Sequence, residues 1–364
     1  MQKENCLAKF DIMAKSFAAD DRIALVHDLD ADGISSGAIA YNAIRLLRGK
    51  APDAVITQPY KTTELLPRTI SLLKNKKIQK LLVVDSALDQ SRESIEKAKR
   101  AVQQIMVLDH HKDYGFNDDN RVLVVKPQFV SETEPSKYPT AKFAFDLFSR
   151  HVDMREYSWL ACVGLIGDNQ LAQWKDFAES AAREHCSSIA EFRKIVDIIT
   201  AVETLAPRKL HRLMMAVALA KGPGEVAASE YSKYLAKLGS QLEKYLAEFK
   251  KRRVVFDSQE LVWFEFRARA NIKSALINIV SNTYFPDKTV IFVQDRGDRF
   301  LHFSARRQDF NVKMNELLEN AVKGMKKAGA GGHVPAAAGK IMRRDLPVFR
   351  KRVMELLQKN NFSN

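Results

Sequence analysis

The stretch HDLDADG at residues 27–33 places an aspartate at every second position, as Asp28, Asp30 and Asp32, and closes with a glycine. It directly follows the apolar run 23–26. Like charges this close repel one another, so the stretch needs a reason to exist. Three interpretations are open: a solvated acidic turn, a calcium-binding loop, or half of a catalytic metal site.

The calcium-loop interpretation can be tested by counting positions. If Asp28 is position 1 of an EF-hand loop, Gly33 falls correctly on position 6. Position 12, which requires a glutamate, is Ile39. A strand-like run also precedes the stretch where an EF-hand has a helix. The pattern therefore disfavours a calcium loop.

The first 170 residues alternate short apolar runs with helical patterns. Strands are predicted for the apolar runs at 22–26, 53–58, 80–85, 105–109 and 122–125. Helices are predicted between them at 35–47, 64–73 and 90–102. Strands that alternate with helices favour an α/β fold with a doubly wound, mostly parallel sheet.

The rest of the chain predicts a helical region, a connecting helix and a smaller α/β domain. Residues 139–220 have a helical pattern throughout, and later strands are expected at 260–268, 289–296 and 299–307. A helix at 312–326, a Gly/Ala-rich loop and a last helix at 346–359 are expected to follow. The predicted domains are residues 1–222, a connecting helix at 223–253, and residues 254–364.

Composition indicates a soluble globular protein with an anionic partner. Hydrophobic residues make up 46% of the chain and charged residues 28%, and no apolar run is long enough to span a bilayer. The formal charge of +14 favours a polyanion such as nucleic acid. The three cysteines show no metal-type spacing, which predicts free thiols in the cytoplasm.

Acidic residues follow several predicted strands. Asp85 ends the third strand, and the fourth ends in Asp109, His110 and His111. Asp168 follows an apolar helical run. In an open parallel sheet, ligands bind at the carboxyl ends of the strands, so we expect these side chains to converge with the opening stretch.

Many carboxylates with one or two imidazoles suit Mn²⁺ or Mg²⁺ better than a thiolate-type zinc site. The number of candidate ligands exceeds the need of one octahedral ion. It indicates two ions, roughly 3.5–4 Å apart, that share a carboxylate. The chemistry expected of such a pair is phosphoester hydrolysis.

In this combination the sequence strongly resembles the DHH phosphoesterase superfamily, and within it the RecJ-like nucleases of the compact archaeal type. The resemblance covers nearly the whole chain, because the C-terminal part is similar to the DHH-associated domain. It rests on four ordered N-terminal motifs and two C-terminal ones, namely HDLDADGISS, VVDS, LDHHK and GLIGD, then SAR (304–306) and GAGGHVPAAAG (329–339).

The resemblance implies two metal ions that share the carboxylate of Asp85. The ligands that it assigns to the first ion are Asp28, Asp30 and Asp85. Those that it assigns to the second are Asp32, Asp85, His110 and Asp168. It also implies that His111 contacts the scissile phosphate or stabilises its charge, and that Asp109 supports the histidines. It gives His27 no role, so His27 is expected to face solvent or to lie behind the ligands.

In the C-terminal domain the resemblance implies a phosphate-gripping pair, Ser304 and Arg306, with Arg307 either its backup or a surface charge. The glycines of the Gly/Ala-rich loop, among them Gly331 and Gly332, are expected to form an anion-binding nest beside His333. The last glycine of the motif comes one residue later than in the family pattern. The loop is therefore expected to bulge.

The leading hypothesis is a Mn²⁺- or Mg²⁺-dependent exonuclease for single-stranded DNA or RNA, acting in DNA repair, replication or RNA turnover. Its active site is expected in the cleft between the two domains. Replication or repair proteins are expected as further partners, and a membrane partner is not expected. The alternative enzyme is a phosphodiesterase for short oligoribonucleotides or cyclic dinucleotides. A non-catalytic replication scaffold is disfavoured because every ligand position is filled.

Overall fold

The computed structural model describes residues 3–60, 62–116 and 119–361. The chain divides into two compact units, Met1–Leu235 and Ala236–Asn364. Each unit combines helices with one β-sheet, which confirms the α/β prediction.

The sheet of the first unit is entirely parallel, with strand order β2-β1-β3-β4-β5. Its strands are β1 (Ile23–His27), β2 (Ala54–Thr57), β3 (Lys80–Val84), β4 (Gln104–Leu108) and β5 (Val122–Val125). Each one overlaps an apolar run that the sequence identified. Four of these strands, β1, β3, β4 and β5, are almost wholly buried, as expected for a parallel sheet covered on both faces.

The helices of the first unit pack on this sheet or on one another. Their bounds are α1 (Lys3–Lys15), α2 (Ala31–Arg48), α3 (Pro67–Asn75), α4 (Arg92–Lys99), α5 (Pro127–Val130), α6 (Thr140–Phe148), α7 (Ser158–Gly167), α8 (Lys175–Glu184), α9 (Ile189–Leu205), α10 (Leu210–Leu219) and α11 (Pro223–Ala227). One core cluster joins β1 and β3 to Leu73 of α3 and Ile95 of α4. No helix in the described parts of the chain has both the length and the apolar character that a bilayer crossing requires.

The connecting helix is shorter than predicted. Helix α12 spans Lys233–Arg252, whereas the sequence indicated one helical segment over 223–253. Before it, α11 ends at Ala227 and a short 3₁₀ turn covers Glu230–Ser232. The break occurs because the Ser229 side chain caps that turn by accepting a hydrogen bond from the backbone amide of Tyr231.

The second unit has a mixed six-stranded sheet of order β10-β11-β9-β8-β7-β6, in which only the β7–β8 pair is parallel. Its elements are β6 (Val254–Phe256), β7 (Leu261–Arg267), α13 (Lys273–Thr283), β8 (Thr289–Asp295), β9 (Phe300–Arg306), α14 (Met314–Val322), β10 (Gly329–His333), β11 (Ala336–Met342) and α15 (Leu346–Asn361). Phe303 of β9 stacks on Phe349 of α15 with ring centroids 4.5 Å apart. One sheet face and helices α14 and α15 thus build this unit's core.

The prediction of a Gly/Ala-rich nest loop was wrong. Residues 329–333 and 336–342 form the antiparallel hairpin β10–β11, with His333 paired to Ala336. Its alternating small residues give one face that packs on the core through Ala330 and Ala337. Successive amides of an extended strand point to opposite edges, so they cannot converge on one anion as a nest requires.

Candidate metal centre and catalytic site

The end of β1 and the start of α2 build the first part of the site. Asp28 follows the strand, and Asp30 caps the helix by accepting a hydrogen bond of 3.0 Å from the amide of Gly33. A Cβ on Gly33 would lie 2.6 Å from the carbonyl carbon of Asp28. The tight passage from strand to helix therefore requires glycine, and it brings Asp28, Asp30 and Asp32 together.

Asp32 is a buried carboxylate held by the N-terminus of α6. The backbone amides of Thr140 and Ala141 donate to its two oxygens at 2.7 and 2.9 Å. Helix N-termini favour negative charge, so this position stabilises the ionised carboxylate. On the other side, a Cβ on Gly164 would lie 2.5 Å from Asp32 Oδ1. The glycine of α7 leaves the room that this carboxylate occupies.

Asp85 follows β3 with a backbone φ of 56°. This left-handed conformation is uncommon for a residue other than glycine, although aspartate and asparagine tolerate it best. The hydroxyl of Thr140 donates to Asp85 Oδ1 at 2.9 Å. Backbone and side-chain contacts thus fix the carboxylate at the carboxyl edge of the sheet.

His110, in the turn after β4, lies at the meeting point of three carboxylates. Its Nε2 is 3.4 Å from Asp168 Oδ2, 3.7 Å from Asp85 Oδ1 and 3.9 Å from Asp32 Oδ2. Asp168 reaches this point because it directly follows the last turn of α7. The structure therefore brings together all four residues that the resemblance assigned to the second ion.

Three sets of potential ligands share this region. In each set, the potential ligand atoms lie within 4.8 Å of one another. The sets are Asp28, Asp30 and Asp85; Asp32, His110 and Asp168; and Asp85, His110 and His111. The first is the set expected for the first ion, and the second contains three of the four residues expected for the second ion. Asp85 and His110 each occur in two of the sets.

The electrostatics of the centre fit divalent cations. Burial, with repulsion from neighbouring carboxylates, raises the pKa of Asp32 and Asp85 well above the ordinary value. Burial lowers the pKa of His110 to about 4, so that its ring is neutral at pH 7 and its nitrogen lone pair can bind a metal. Oxygen ligands with a neutral imidazole suit Mn²⁺ or Mg²⁺.

His111 is oriented by Asp109. Its Nδ1 lies 2.7 Å from Asp109 Oδ1, and the imidazole is half exposed. Burial opposes protonation of this ring, but the hydrogen bond and the charge of Asp109 outweigh it and raise the pKa of His111 to about 9. The exposed ring can therefore carry a proton and a positive charge beside the carboxylate cluster.

Sequence reasoning missed three residues that hold the predicted ones, namely Thr140, Gly164 and Lys126. Thr140 and Gly164 shape the surroundings of Asp32, as described above. Lys126, at the end of β5, is fully buried and lies 2.6 Å from Asp109 Oδ2 and 3.2 Å from the carboxylate of Asp89. A lysine directly after an apolar strand was the signal that could have indicated Lys126, whereas no local pattern marks the others.

His27 has a structural role and does not face solvent. Its ring is fully buried, and burial lowers its pKa to about 4, so the ring is neutral. Nδ1 lies 2.6 Å from the backbone oxygen of Asp28 and Nε2 lies 2.9 Å from Thr57 Oγ1. With Nδ1 as donor and Nε2 as acceptor, the ring ties the carbonyl of Asp28 to strand β2.

In the second unit the register aligns the proposed substrate-binding residues in two rows. Ser304 pairs with Ala338, which pairs with Gly331. Arg306 pairs with Ala336, which pairs with His333, a residue whose side chain lies outside the described part of the structure.

The residues around these rows are packed in different ways. Ser304 is buried, and Gly331 and Gly332 are exposed. Arg306 donates from Nε to Asn278 Oδ1 on α13 at 2.9 Å. Gly339, which the family pattern places one residue earlier, packs against the core, since a Cβ there would lie 2.5 Å from Cζ of Phe303.

Arg307 is neither a backup for its neighbour nor a surface charge. Its side chain is buried and pairs with Glu260 at 2.6 Å and with Asp309 at 2.8 Å. It therefore joins the start of β7 to the segment after β9, and its role is structural.

Comparison with known families agrees with this geometry. The family model described as the N-terminal domain of the DHH family matches residues 22–165, and the model described as the DHHA1 domain matches residues 260–359. The chain belongs to the DHH phosphoesterase superfamily. A comparison with curated protein sequences gives no match.

Among solved structures, the chain is similar to RecJ from Thermus thermophilus in complex with Mn²⁺, with 18% identity and a TM-score of 0.71. The match covers 98% of this chain but only 54% of that one. An exonuclease RecJ bound to manganese is 19% identical, with a TM-score of 0.68 and coverage of 97% and 94%. The fold is therefore RecJ-like.

A pGpG-specific phosphodiesterase from Vibrio cholerae is a third similar structure. It is 14% identical, with a TM-score of 0.50, and the match covers 93% of this chain and 99% of that one. At these identities the likeness of all three structures establishes the fold alone.

Proposed function

We propose that this protein is a two-metal-ion exonuclease that hydrolyses single-stranded DNA or RNA from a strand end. The observation that carries the proposal is the position of His110 Nε2, which has carboxylate oxygens of Asp32, Asp85 and Asp168 within 3.9 Å. The adjoining carboxylates of Asp28 and Asp30 provide a second set around the same Asp85.

The residues would divide between two Mn²⁺ or Mg²⁺ ions. Asp28, Asp30 and Asp85 would hold the first, and Asp32, Asp85, His110 and Asp168 the second. When bound, such ions activate water at neutral pH and stabilise charge on the attacking and leaving oxygens of a phosphodiester. Because the donors sit on the ends of rigid strands and helices, the site is largely preorganised.

His111 supplies what the carboxylates cannot, namely a proton donor with positive charge. Asp109 accepts the hydrogen bond from its Nδ1, which leaves Nε2 for a phosphate oxygen. A cationic donor in this position would neutralise charge that develops on the phosphoryl group. In the second unit, Arg306 would bind a further phosphate of the strand, since a guanidinium suits phosphate geometry. Ser304, which is fully buried, is left out of that contact.

The net charge of +14 supports a polyanionic substrate longer than a dinucleotide. A nuclease of this kind would act in the cytoplasm on intermediates of DNA repair, replication or RNA turnover, alongside replication or repair proteins. The experiment that tests the proposal is digestion of end-labelled DNA and RNA strands with Mn²⁺ and with chelator. Absence of metal-dependent product from every strand would refute it.

A second candidate is a phosphodiesterase for short oligoribonucleotides or cyclic dinucleotides. It is favoured by the similarity to the pGpG-specific enzyme, which the match covers almost completely. Comparing hydrolysis of a two-residue and a twenty-residue strand separates the candidates. If only the short substrate is cut, the exonuclease proposal is lost and the second candidate stands.

A further inference from the structure

Lys126 is a fully buried cation in the first unit. Its ammonium lies 2.6 Å from Asp109 Oδ2 and 3.2 Å from Asp89 Oδ1. It also donates to the backbone oxygens of His111 and Lys112, both at 3.1 Å. Burial of a charge is costly unless it is paired and hydrogen-bonded, and this ammonium has oxygen partners from two carboxylates and two carbonyls.

Lys126 and its partners come from three different parts of the chain. Lys126 directly follows β5, Asp89 lies in the 3₁₀ turn after β3, and Asp109 begins the turn after β4. The other oxygen of Asp89 accepts from the amide of Tyr114 at 3.1 Å. Lys126 and Asp89 therefore hold both ends of segment 109–114, which carries His110 and His111.

We propose that Lys126, together with Asp89, is a positioning residue for the catalytic turn. The inference rests on the proposed function. Lys126 fixes the rotamer of Asp109 by binding Oδ2, and this leaves Oδ1 directed at His111. It also fixes the peptide carbonyls after His111, so that the half-exposed imidazole has one orientation. Lys126 itself does not touch the substrate.

The test uses the full-length Lys126→Met variant, because methionine has similar length and no charge. In the metal-free protein, the ¹⁵N resonances of the His111 ring should shift as its hydrogen bond to Asp109 is disordered. At saturating Mn²⁺ and substrate, kcat should fall by about 10- to 100-fold, the usual effect of removing a partner behind an active-site ligand.

The matched control is Lys80→Met. Lys80 is the first residue of the central strand β3, at the end of the strand away from Asp85, and its ammonium lies 2.6 Å from Asp21 Oδ2. Loss of this ion pair should lower Tm but leave kcat and the His111 resonances unchanged. A merely structural role for Lys126 predicts the same pattern in Lys126→Met, with Tm reduced and the other two readouts at wild-type values.

A double-mutant cycle shows whether Lys126 acts through Asp109. Adding Lys126→Met to Asp109→Asn should lower kcat by less than the product of the two single losses, because part of the effect of Lys126 passes through Asp109. Losses that multiply fully would overturn the proposal, and so would a Lys126→Met enzyme with kcat within twofold of wild type. Should Lys126→Met not fold, Asp89→Asn is decisive, because unchanged His111 resonances and kcat in that variant also overturn it.

The two proposals fail in distinguishable ways. If the wild-type protein hydrolyses no strand, the proposed function is lost. The His111 resonances of the metal-free variants still decide whether Lys126 orients the ring, since that readout needs neither metal nor substrate.

Discussion

The hydroxyl of Thr140 donates to Asp85 Oδ1 at 2.9 Å, while the amide of the same residue donates to Asp32 Oδ2 at 2.7 Å. One residue at the start of α6 thus holds two carboxylates that come from different strand ends. Without cations between them, these carboxylates repel each other. The contacts of Thr140 keep both directed into the centre.

Thr140→Val should remove the contact to Asp85 and keep the contact to Asp32. Valine keeps the shape and the amide but removes the donor to Asp85, so we expect about a tenfold fall in kcat with Mn²⁺ and an intact fold. Ser149→Ala, which removes the hydroxyl bonded to the Phe145 carbonyl at the other end of α6, serves as control and should retain full activity. Equal kcat in both variants would contradict a role for the Thr140 hydroxyl.

Asp85→Ala and Asp85→Asn should both abolish Mn²⁺-dependent hydrolysis, because each removes the shared carboxylate. The raised pKa of Asp85 means that its charge destabilises the metal-free protein at pH 7. Asparagine removes that charge and tolerates the left-handed backbone, so the metal-free Asn variant should unfold at a higher Tm than the metal-free wild type. Alanine should unfold at a lower temperature than asparagine. Full activity in either variant would refute the two-metal proposal.

Gly164→Ala should displace a metal ligand, although Gly164 is not itself a ligand. The added Cβ would lie 2.5 Å from Asp32 Oδ1 and 2.4 Å from the Cβ of Ala141, so the carboxylate must move. We expect the Mn²⁺ affinity, measured by calorimetry, to fall by at least tenfold. Gly239→Ala in α12 meets nothing within 4 Å and should leave binding unchanged while stabilising the helix by about 0.5–1 kcal/mol. Wild-type Mn²⁺ affinity in Gly164→Ala would show that Asp32 is not a ligand.

The neighbouring residues Arg306 and Arg307 should affect different properties when each is replaced, substrate binding in the first case and stability in the second. Arg306→Ala should raise KM more than it lowers kcat, because it removes a phosphate contact and leaves the chemistry in place. Arg307→Ala should lower the free energy of unfolding by about 1–2 kcal/mol, because it removes a buried side chain and its hydrogen bonds to Glu260 and Asp309, whose carboxylates remain accessible to water. Steady-state kinetics and denaturant unfolding of both variants check this, and an unchanged KM in Arg306→Ala would exclude that residue from substrate binding.

The basic end of α12 is a candidate part of the nucleic-acid surface. Residues 250–253 are exposed, and the ammonium of Lys250 lies 5.1 Å from the ring centroid of Tyr284, which is 41% exposed. Lys250→Gln with Arg253→Gln should weaken binding of a twenty-residue strand in chelator. The slope of log affinity against log salt should fall by about 0.7 for each lost phosphate contact. An unchanged slope would mean that these cations only face solvent.

Most of the first unit could be predicted because its signals are local. Each buried strand is a short apolar run, and the rule that parallel strands end at one edge predicts that Asp28, Asp85 and His110 converge. The prediction needed no side-chain coordinates. It used only the order of strands and acids along the chain.

The residues behind the ligands could not be predicted, because their roles depend on tertiary neighbours. Nothing beside Gly164 in the sequence indicates that Asp32 will lie against it. The β10–β11 hairpin was missed for a different reason. Its small residues lack the β-branched and aromatic side chains that mark strands, so the Gly/Ala pattern favoured a loop.

The dependence of Asp32 on α6 and α7 has a consequence for biosynthesis. The loop at 27–33 leaves the ribosome early, but its carboxylate has no partner amides until Thr140 and Ala141 have been made, and Asp168 comes later still. The centre is built from contacts between distant segments, which form late in folding. A nascent chain therefore exposes an incomplete, weakly chelating acidic loop during most of its synthesis, and selective capture of metal becomes possible only once the first unit has closed.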